Sequence, residues 1–251
     1  MNLKLSGLAA LVTGASQGIG RAIARRLASE GVQVAIAARR TELLEQFASE
    51  IAAEGCPRPL IFAYDLYPEG SAERLADSAL QQLGKVDILI NAAGGSRPLP
   101  FEASSLQWSE GMTLNFWRLR ELTHALAPRM VDRCFGRIVN ITGTSEPPAF
   151  NAASTAKAAV HVWSKGFSRE FGKHGITINC LQPGRIRSEQ IDRKYPDDES
   201  RRTFAAAEIP VGRFGQPEEL ADLAVFLCSP LAGYITGTVI PVDGGMSRFA
   251  F

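Results

Sequence analysis

Short apolar runs recur along this chain, and longer amphipathic stretches lie between them. The runs are almost continuously apolar, which is typical of parallel strands covered by helices on both faces. Alternation of strand and helix predicts an α/β fold with a doubly wound parallel sheet in three α/β/α layers. The predicted strands are 8–12, 32–38, 60–64, 86–90, 137–141, 176–181 and 239–242, and the predicted helices are 18–29, 41–54, 70–83, 105–133, 151–172 and 218–228.

The chain has 251 residues, a length that predicts a single domain over 1–251. The least regular segment, 185–214, is rich in charge and proline. It is long for a connection in a compact domain, so we predict that it forms a substrate loop or lid.

Charge and composition exclude several classes of protein. Lys and Arg number 27 against 26 Asp and Glu, and this balance predicts neither nucleic-acid nor membrane partners. No signal peptide is expected at the N-terminus, and no apolar run has the length of a membrane helix. No residue spacing predicts a metal site. Widely separated cysteines without a CxxC pair predict idle or buried thiols in a reducing cytoplasm: Cys56, Cys134, Cys180 and Cys228.

The first predicted strand runs directly into a glycine-rich turn, Thr13-Gly14-Ala15-Ser16-Gln17-Gly18-Ile19-Gly20, which opens the first helix. Glycines allow the backbone to approach a pyrophosphate, and the start of a helix favours anions. Because the turn lies between a strand and a helix, it predicts a dinucleotide site in a Rossmann-like fold.

This turn resembles the cofactor loop of the short-chain dehydrogenase/reductase family, and the resemblance extends over nearly the whole length of the chain. Asp65-Leu66, the run 91–94 (Asn-Ala-Ala-Gly), Pro183-Gly184 and the runs 212–219 and 242–245 match further family motifs in order. Each match alone has a plainer reading as a turn or a helix cap. The resemblance implies a set of cofactor-binding residues: Gly14, Ser16, Gln17, Gly18, Ile19, Gly20, Asp65, Leu66, Asn91, Ala92, Gly94, Lys157, Pro183, Gly184, Ile186 and Ser188.

Charge at the end of the second strand predicts which nicotinamide nucleotide binds. An acidic residue there would accept the ribose hydroxyls of NAD and repel a 2′-phosphate. This chain has Ala38 followed by Arg39 and Arg40, and a guanidinium suits a phosphate. We therefore predict NADP(H), with Arg39 as the main contact and the part of Arg40 left open.

The family resemblance implies a catalytic set of serine, tyrosine and lysine, with a helix asparagine in the proton relay. Lys157 and Asn115 stand at two of these positions. The tyrosine position, four residues before Lys157, holds Ala153, and the serine position falls on Gly143 in a slightly shortened loop. Thr144 or Ser145 is then expected to supply the lost hydroxyl. Both departures fall within 142–153, which predicts a rebuilt substrate pocket unless 146–150 blocks it.

These departures leave three readings. In the favoured one, the chain is an NADP(H)-dependent oxidoreductase acting on a carbonyl/alcohol pair, as a 3-oxoacyl reductase does, and another group or a water relay donates the proton. The candidate donors are Glu146, Thr144, Ser145 and a residue of the segment 185–214, Tyr195 among them. In the second, the chain binds NADP(H) without redox turnover or performs different chemistry on the same scaffold. In the third, Ser154 and Lys157 form a hydrolase-like S-x-x-K pair, against which stands the ribose-binding role of Lys157.

The sequence also gives expectations for the substrate contacts, the histidines and the oligomeric state. Arg185 and Arg187 follow the nicotinamide turn and are candidates to bind an anionic small-molecule substrate. His124, His161 and His174 are expected to be structural or solvent-facing. The family resemblance implies a homodimer or homotetramer built on the two long helices, which carry apolar residues at Trp108, Phe116, Trp117, Val162, Trp163 and Phe167.

Overall fold

The computed structural model describes residues 1–147 and 149–249. In that part of the chain, the strands are β1 (Ala9–Thr13), β2 (Gln33–Ala38), β3 (Leu60–Ala63), β4 (Ile88–Asn91), β5 (Gly136–Ile141), β6 (Ile176–Pro183) and β7 (Val239–Val242). They form one sheet in the order β3-β2-β1-β4-β5-β6-β7 with every neighbouring pair parallel. The predicted doubly wound sheet is confirmed, with strand ends shifted by up to two residues. The order in which successive strands are added to the sheet reverses between β1 and β4, and such folds form their cleft at this point.

Helices cover both faces of the sheet: α1 (Gly18–Ser29), α2 (Thr41–Ala53), α3 (Ser71–Leu83), α4 (Ser105–Met112), α5 (Arg118–Asp132), α6 (Ala152–Phe171), α7 (Glu189–Lys194), α8 (Asp198–Glu208) and α9 (Pro217–Cys228). Successive strand residues enter opposite cores because side chains alternate across a strand. Val12 packs with Leu27 and Leu220 on one face, whereas Leu11 packs with Leu75 on the other. This two-sided burial explains the continuous apolar runs. No helix in the described ranges has the length and apolarity needed to cross a membrane.

The single helix predicted over 105–133 is wrong in one respect. A five-residue π-helical segment, Thr113–Trp117, separates α4 from α5. Inside it, the Asn115 side chain donates to the carbonyl oxygen of Gly111 at 2.9 Å. Wider π-turns of this kind often occur at functional sites, and the apolar period by itself does not reveal them.

Residues 185–214 are more regular than their composition predicts. Two helix caps start α7 and α8: Ser188 accepts from the Ile191 amide, and Asp197 accepts from the Ser200 amide. The segment has its own small core of Ala205, Ile209 and Phe214, against which Tyr195 and Phe204 pack. Short capped helices with few apolar positions have weak periodicity, so sequence analysis read them as loop.

Candidate functional site

One large cleft lies along the carboxyl ends of β1, β2, β4, β5 and β6. Its volume is about 1280 Å³. Pockets for single small ligands hold roughly 300–1,000 Å³, so this cleft has room for a dinucleotide together with a small substrate.

The glycine-rich turn forms a cradle at one end of the cleft. Gly14 has a φ of +68°, and a Cβ atom there would lie 2.6 Å from the Ala92 carbonyl oxygen. A Cβ atom at Gly20 would lie 2.5 Å from the Gly14 carbonyl oxygen. Only glycine fits at these two positions, and α1 then begins with its amide groups towards the cleft. This arrangement fits the pyrophosphate of a dinucleotide.

Thr13 joins the cradle to the next loop. Its hydroxyl donates to the Ile90 carbonyl and accepts from the amides of Ala92 and Ala93, at 3.1–3.2 Å. The end of β1 is thereby tied to the end of β4. The sequence predicts no role for Thr13, because a threonine at the end of a strand does not reveal which groups its hydroxyl will bind.

The two arginines after β2 differ in their surroundings. Arg40 donates to Glu189 at 3.3 Å, to Ser16 at 3.4 Å and to the Gln17 side chain. Arg39 is exposed on the cleft wall and has no hydrogen-bond or ion-pair partner among the described residues. Its guanidinium is therefore available for an anionic ligand.

Two further strand ends complete the cofactor side of the wall. Asp65 and Leu66 follow β3, and the Asp65 carboxylate accepts from the Tyr67 amide at 3.0 Å. At the end of β6, a Cβ atom on Gly184 would lie 2.6 Å from Asp243, so the two chain segments meet closely there. Ser188 lines the cleft and caps α7.

Two predicted site asparagines turn inward, away from the cleft wall. Asn91 is buried and donates to Thr123 at 3.2 Å and to Asn140 at 2.9 Å. Asn115 is also buried, and its amide oxygen accepts from the Gly95 amide at 3.1 Å. The Asn91 side chain thus joins the end of β4 to α5 and β5, and the Asn115 side chain holds the loop after β4. Ala92 and Gly94 line the cleft.

Lys157 lies at the other end of the cleft, on α6. Its ammonium donates to the Thr142 carbonyl oxygen at 3.0 Å. The side chain is half-buried overall, and enclosure of its ammonium lowers the pKa of Lys157 to about 8. Ala153, one helical turn earlier on the same face, lines the cleft with only its methyl group. A Cβ atom on Gly143 would lie 3.3 Å from Lys157 Cδ.

One turn beyond Lys157, the half-buried His161 binds the same strand end. Its Nε2 lies 2.8 Å from Thr142 Oγ1, and this hydroxyl donates to the Leu181 carbonyl oxygen at 3.1 Å. With its proton committed to Leu181, the hydroxyl accepts from His161 Nε2–H. Burial first, and then the nearby charge of Lys157, lower the pKa of His161. The imidazole is therefore neutral at neutral pH.

The proton donors that the sequence predicts are mostly engaged elsewhere. The Glu146 carboxylate accepts from the backbone amides of Arg248 and Phe249, and Ser145 donates to Gln182 at 3.1 Å. Tyr195 packs between Phe204 and Phe214. None of these three candidates lines the cleft.

Two hydroxyl-bearing residues do line this end of the cleft. Thr144 does so while its hydroxyl accepts from the Glu146 amide at 3.0 Å. Ser154 lines it without a hydrogen bond to Lys157 in the described structure, so the S-x-x-K spacing does not produce a hydrolase pair. Across the described residues, no group of three or more His, Cys, Asp or Glu is arranged to hold a metal ion.

This chain is similar in sequence to proteins of known activity. A profile of the family described as enoyl-(acyl carrier protein) reductase matches residues 14–247. A 3-oxoacyl-[acyl-carrier-protein] reductase from Aquifex aeolicus is 36% identical over 258 residues, covering 98% of this chain and 100% of that protein. The chain belongs to the short-chain dehydrogenase/reductase family.

Solved structures of the family superimpose closely on this member. L-sorbose reductase from Gluconobacter frateurii, crystallised with NADPH and L-sorbose, has a TM-score of 0.92 at 30% identity, with 99% of this chain and 100% of that chain covered. A 7α-hydroxysteroid dehydrogenase crystallised with NADH has a TM-score of 0.91 at 31% identity, with 100% and 98% covered. These relatives are oxidoreductases that differ in substrate and in nucleotide.

Most of the site residues predicted for this short-chain dehydrogenase/reductase line one continuous wall: Gly14, Ser16, Gln17, Gly18, Ile19, Gly20, Arg39, Arg40, Asp65, Leu66, Ala92, Gly94, Thr144, Lys157, Pro183, Gly184, Arg185, Ile186 and Ser188. Asn91, Asn115, Ser145 and Arg187 lie off it. Arg187 pairs with Asp192 at 2.8 Å. Pro147, Ala149 and Phe150 line the cleft rather than fill it, and Pro148 of the predicted 146–150 segment lies outside the described residues.

Proposed function

We propose that this short-chain dehydrogenase/reductase is an NADP(H)-dependent oxidoreductase that interconverts a carbonyl compound and an alcohol. One observation carries the proposal: a single cleft joins the glycine cradle and the unpartnered Arg39 to Lys157. Bound NADPH would supply a hydride at the Lys157 end. The Gly14–Gly20 turn would hold the pyrophosphate, Asp65 and Leu66 the adenine, and Lys157 a ribose.

Choice of nucleotide rests on Arg39. The residue is exposed at the end of β2, where an acidic side chain would otherwise select NAD. Arg40 is already bound to Glu189 and Gln17, so we assign it a supporting part. The nucleotides present in the related structures, NADPH in one and NADH in another, are compatible with either choice in this fold.

The nucleotide proposal is tested by fluorescence titration of NADPH and NADH. Arg39→Ala should weaken NADPH binding by about 10- to 100-fold, because a charge-assisted contact to the 2′-phosphate is lost, and should leave NADH binding unchanged. Arg40→Ala is the matched control and should change NADPH affinity less. An unchanged preference for NADPH in Arg39→Ala contradicts the proposal.

Turnover is tested with NADPH and a panel of 3-oxoacyl thioesters, keto sugars and keto acids. Arg185 lines the cleft with its guanidinium 5.1 Å above the Phe204 ring, and we propose it as the contact for an anionic substrate. Arg187 is committed to Asp192, so it is the weaker of the two substrate candidates. Oxidation of NADPH by at least one carbonyl class is the expected outcome.

A second function is favoured by one observation, the small side chains at Gly143 and Ala153. Neither can donate a proton, as the family's serine and tyrosine do. In that case the chain binds NADP(H) without redox turnover or performs other chemistry on the scaffold. Tight NADPH binding with no oxidation by any member of the panel supports this second function against the first.

We also propose a cytoplasmic homodimer or homotetramer, with residues 185–214 as the substrate segment of one domain. Val162 on α6 is 77% exposed and Trp117 on the π-helical segment that packs against α6 is 45% exposed, so both elements offer an apolar side chain for contact with a second copy. Burial raises the pKa of Cys180 to about 11 and of Cys228 to about 12, so these thiols suit a structural role. Light scattering tests the assembly, and a stable monomer contradicts it.

A further inference from the structure

The two positions at which this chain departs from its family face the same lysine. Ala153 lies one helical turn before Lys157, and Gly143 lies against its stem, with a Cβ atom there reaching 3.3 Å from Lys157 Cδ. A serine at 143 would crowd this stem. Lys157 is therefore the side chain from outside this loop that lies closest to position 143, and it shares a helix face with position 153.

Lys157 and His161 both hydrogen-bond to Thr142, the residue that follows β5. Thr142 is 1% exposed, and its carbonyl oxygen accepts from Lys157 at 3.0 Å. Its amide and its hydroxyl both donate to the Leu181 carbonyl oxygen, at 2.9 and 3.1 Å, while the hydroxyl accepts from His161. Lys157 and His161 lie four residues apart on one face of α6, so both sides of Thr142 are tied to this helix.

We propose that Lys157 is the acid–base residue of this enzyme in place of a tyrosine, and that His161 is a positioning residue that acts through Thr142. The inference rests on the proposed oxidoreductase function. In the direction of reduction, the carbonyl carbon gains the hydride of the reduced nicotinamide. The electron pair of the C=O bond moves to oxygen, which takes one proton from the Lys157 ammonium, directly or through one water. The neutral amine regains a proton from solvent, and the alcohol and the oxidised nicotinamide are the products.

The electrostatics of the site agree with this role. Burial lowers the pKa of Lys157 from 10.5 to about 8, near the range in which a general acid works best. His161 on the same helix is neutral. None of the other charged side chains that line the cleft pairs with Lys157 in the described structure: Arg39, Arg40, Asp65, Arg97, Glu110, Arg185, Glu189, Arg193 and Lys194. An ordinary lysine would hold its proton too tightly to donate it efficiently.

The first experiment reads Lys157 directly, without turnover. Lysine labelled with ¹³C at Cε is titrated by NMR in the full-length protein, and the Lys157 signal is assigned by its loss in Lys157→Arg. A titration midpoint near 8 is expected in the wild type, and one near 10.5 overturns the proposal. His161→Leu should shift the midpoint by at least about half a unit, whereas His161→Gln, which keeps an amide donor for Thr142, should restore it.

The second experiment reads catalysis. The kcat/KM for NADPH-dependent reduction should fall as pH rises through the NMR midpoint. Lys157→Arg keeps a positive charge for the ribose but does not release its proton, so kcat should fall by about 10²–10⁴-fold while NADPH affinity changes by a few-fold at most. If Lys157→Arg does not fold, Lys157→Met is tested in its place, since it keeps the stem and removes a partly buried charge.

The outcomes separate the two proposals. Turnover that survives the Lys157 substitution, or a flat pH profile between 7 and 9, overturns the assignment of Lys157 and leaves the oxidoreductase function standing. A His161→Leu variant with wild-type pH profile and wild-type midpoint overturns the part given to His161. A wild type that binds NADPH but reduces no carbonyl compound overturns the oxidoreductase function and the acid–base role together.

Discussion

The two ends of the cleft are built in different ways. At the cofactor end, backbone meets backbone: a Cβ atom on Gly14 would lie 2.6 Å from the Ala92 carbonyl, and one on Gly20 would lie 2.5 Å from the Gly14 carbonyl. At the chemistry end, Gly143 and Ala153 face a flexible lysine side chain and open cleft. Backbone atoms cannot move aside for an added side chain, whereas the flexible Lys157 side chain can. The cofactor end therefore tolerates little sequence change, while the chemistry end tolerates a redesign around Lys157.

The largest effect is expected at Gly14. Gly14→Ala places a side chain in left-handed backbone and against the β4 loop, which together cost about 3 kcal/mol or more. Urea unfolding and NADPH titration should show loss of both stability and binding. Gly18→Ala is the control, since Gly18 also has a positive φ but its nearest neighbour is 3.9 Å away. Equal effects at the two positions would contradict the account of backbone crowding.

A pH-dependent effect of up to about 3 kcal/mol is expected at Lys157. Its pKa is lowered from 10.5 in the unfolded chain to about 8 in the folded one. Between these values the unfolded chain binds the proton and the folded one does not, so wild-type stability rises with pH over this window. Conversely, wild-type stability falls as the pH is lowered from 10.5 towards 8.

Lys157→Met removes that dependence, because methionine carries no titrating group. The free energy of unfolding of Lys157→Met should therefore exceed that of the wild type by more at pH 7 than at pH 10.5. Urea unfolding at several pH values measures it, with Lys173→Met at an exposed lysine as the control. A difference between wild type and Lys157→Met that is constant with pH would count against the burial of this ammonium.

A smaller effect is expected at Gly143. Gly143→Ser adds a hydroxyl at a position where φ is not left-handed and the close atom is Lys157 Cδ at 3.3 Å. The stem can move by a few tenths of an ångström, so the loss in unfolding free energy should stay below about 1 kcal/mol. Thermal unfolding and NADPH titration check this. A loss as great as that of Gly14→Ala would remove the distinction between the two ends.

The smallest effect is expected outside both ends, at Glu219. Its carboxylate accepts two hydrogen bonds from Arg213, at 2.7 and 2.8 Å, and one from the Gln216 amide, which lower the pKa of Glu219 to about 2. The pair is largely exposed, so solvent screening limits Glu219→Gln to well under about 1 kcal/mol at pH 7. This contribution is complete above pH 4.5 and is lost as pH falls towards 2. Acid unfolding of both proteins measures it.

The cofactor wall and the segment 185–214 differ in how well the sequence predicts them. The cofactor wall could be predicted because a glycine turn between a strand and a helix has few structural solutions, and the strand ends that line the cleft follow from chain order. The segment 185–214 could not, because α7 and α8 depend on the local caps at Ser188 and Asp197 rather than on an apolar period.

Asn91, Asn115 and His161 show the other limit. The motif positions of the two asparagines predicted a place in the site, yet their amides are used inside the protein, where Asn91 joins β4 to β5 and Asn115 holds the loop after β4. His161 was expected to be structural or solvent-facing, and only the packing of α6 against the sheet brings its ring within 2.8 Å of Thr142.

The sequence by itself determined the parallel sheet, the glycine cradle and the small residues Gly143 and Ala153, because these are properties of residue type and order along the chain. Tertiary structure alone decided which groups surround Lys157. Glu146, Ser145 and Tyr195 are bound elsewhere, while Thr142 accepts from the Lys157 ammonium and is itself bound by His161. The physical reason is that a proton donor is defined by its neighbours and its solvation, and both depend on contacts between residues that are distant in sequence.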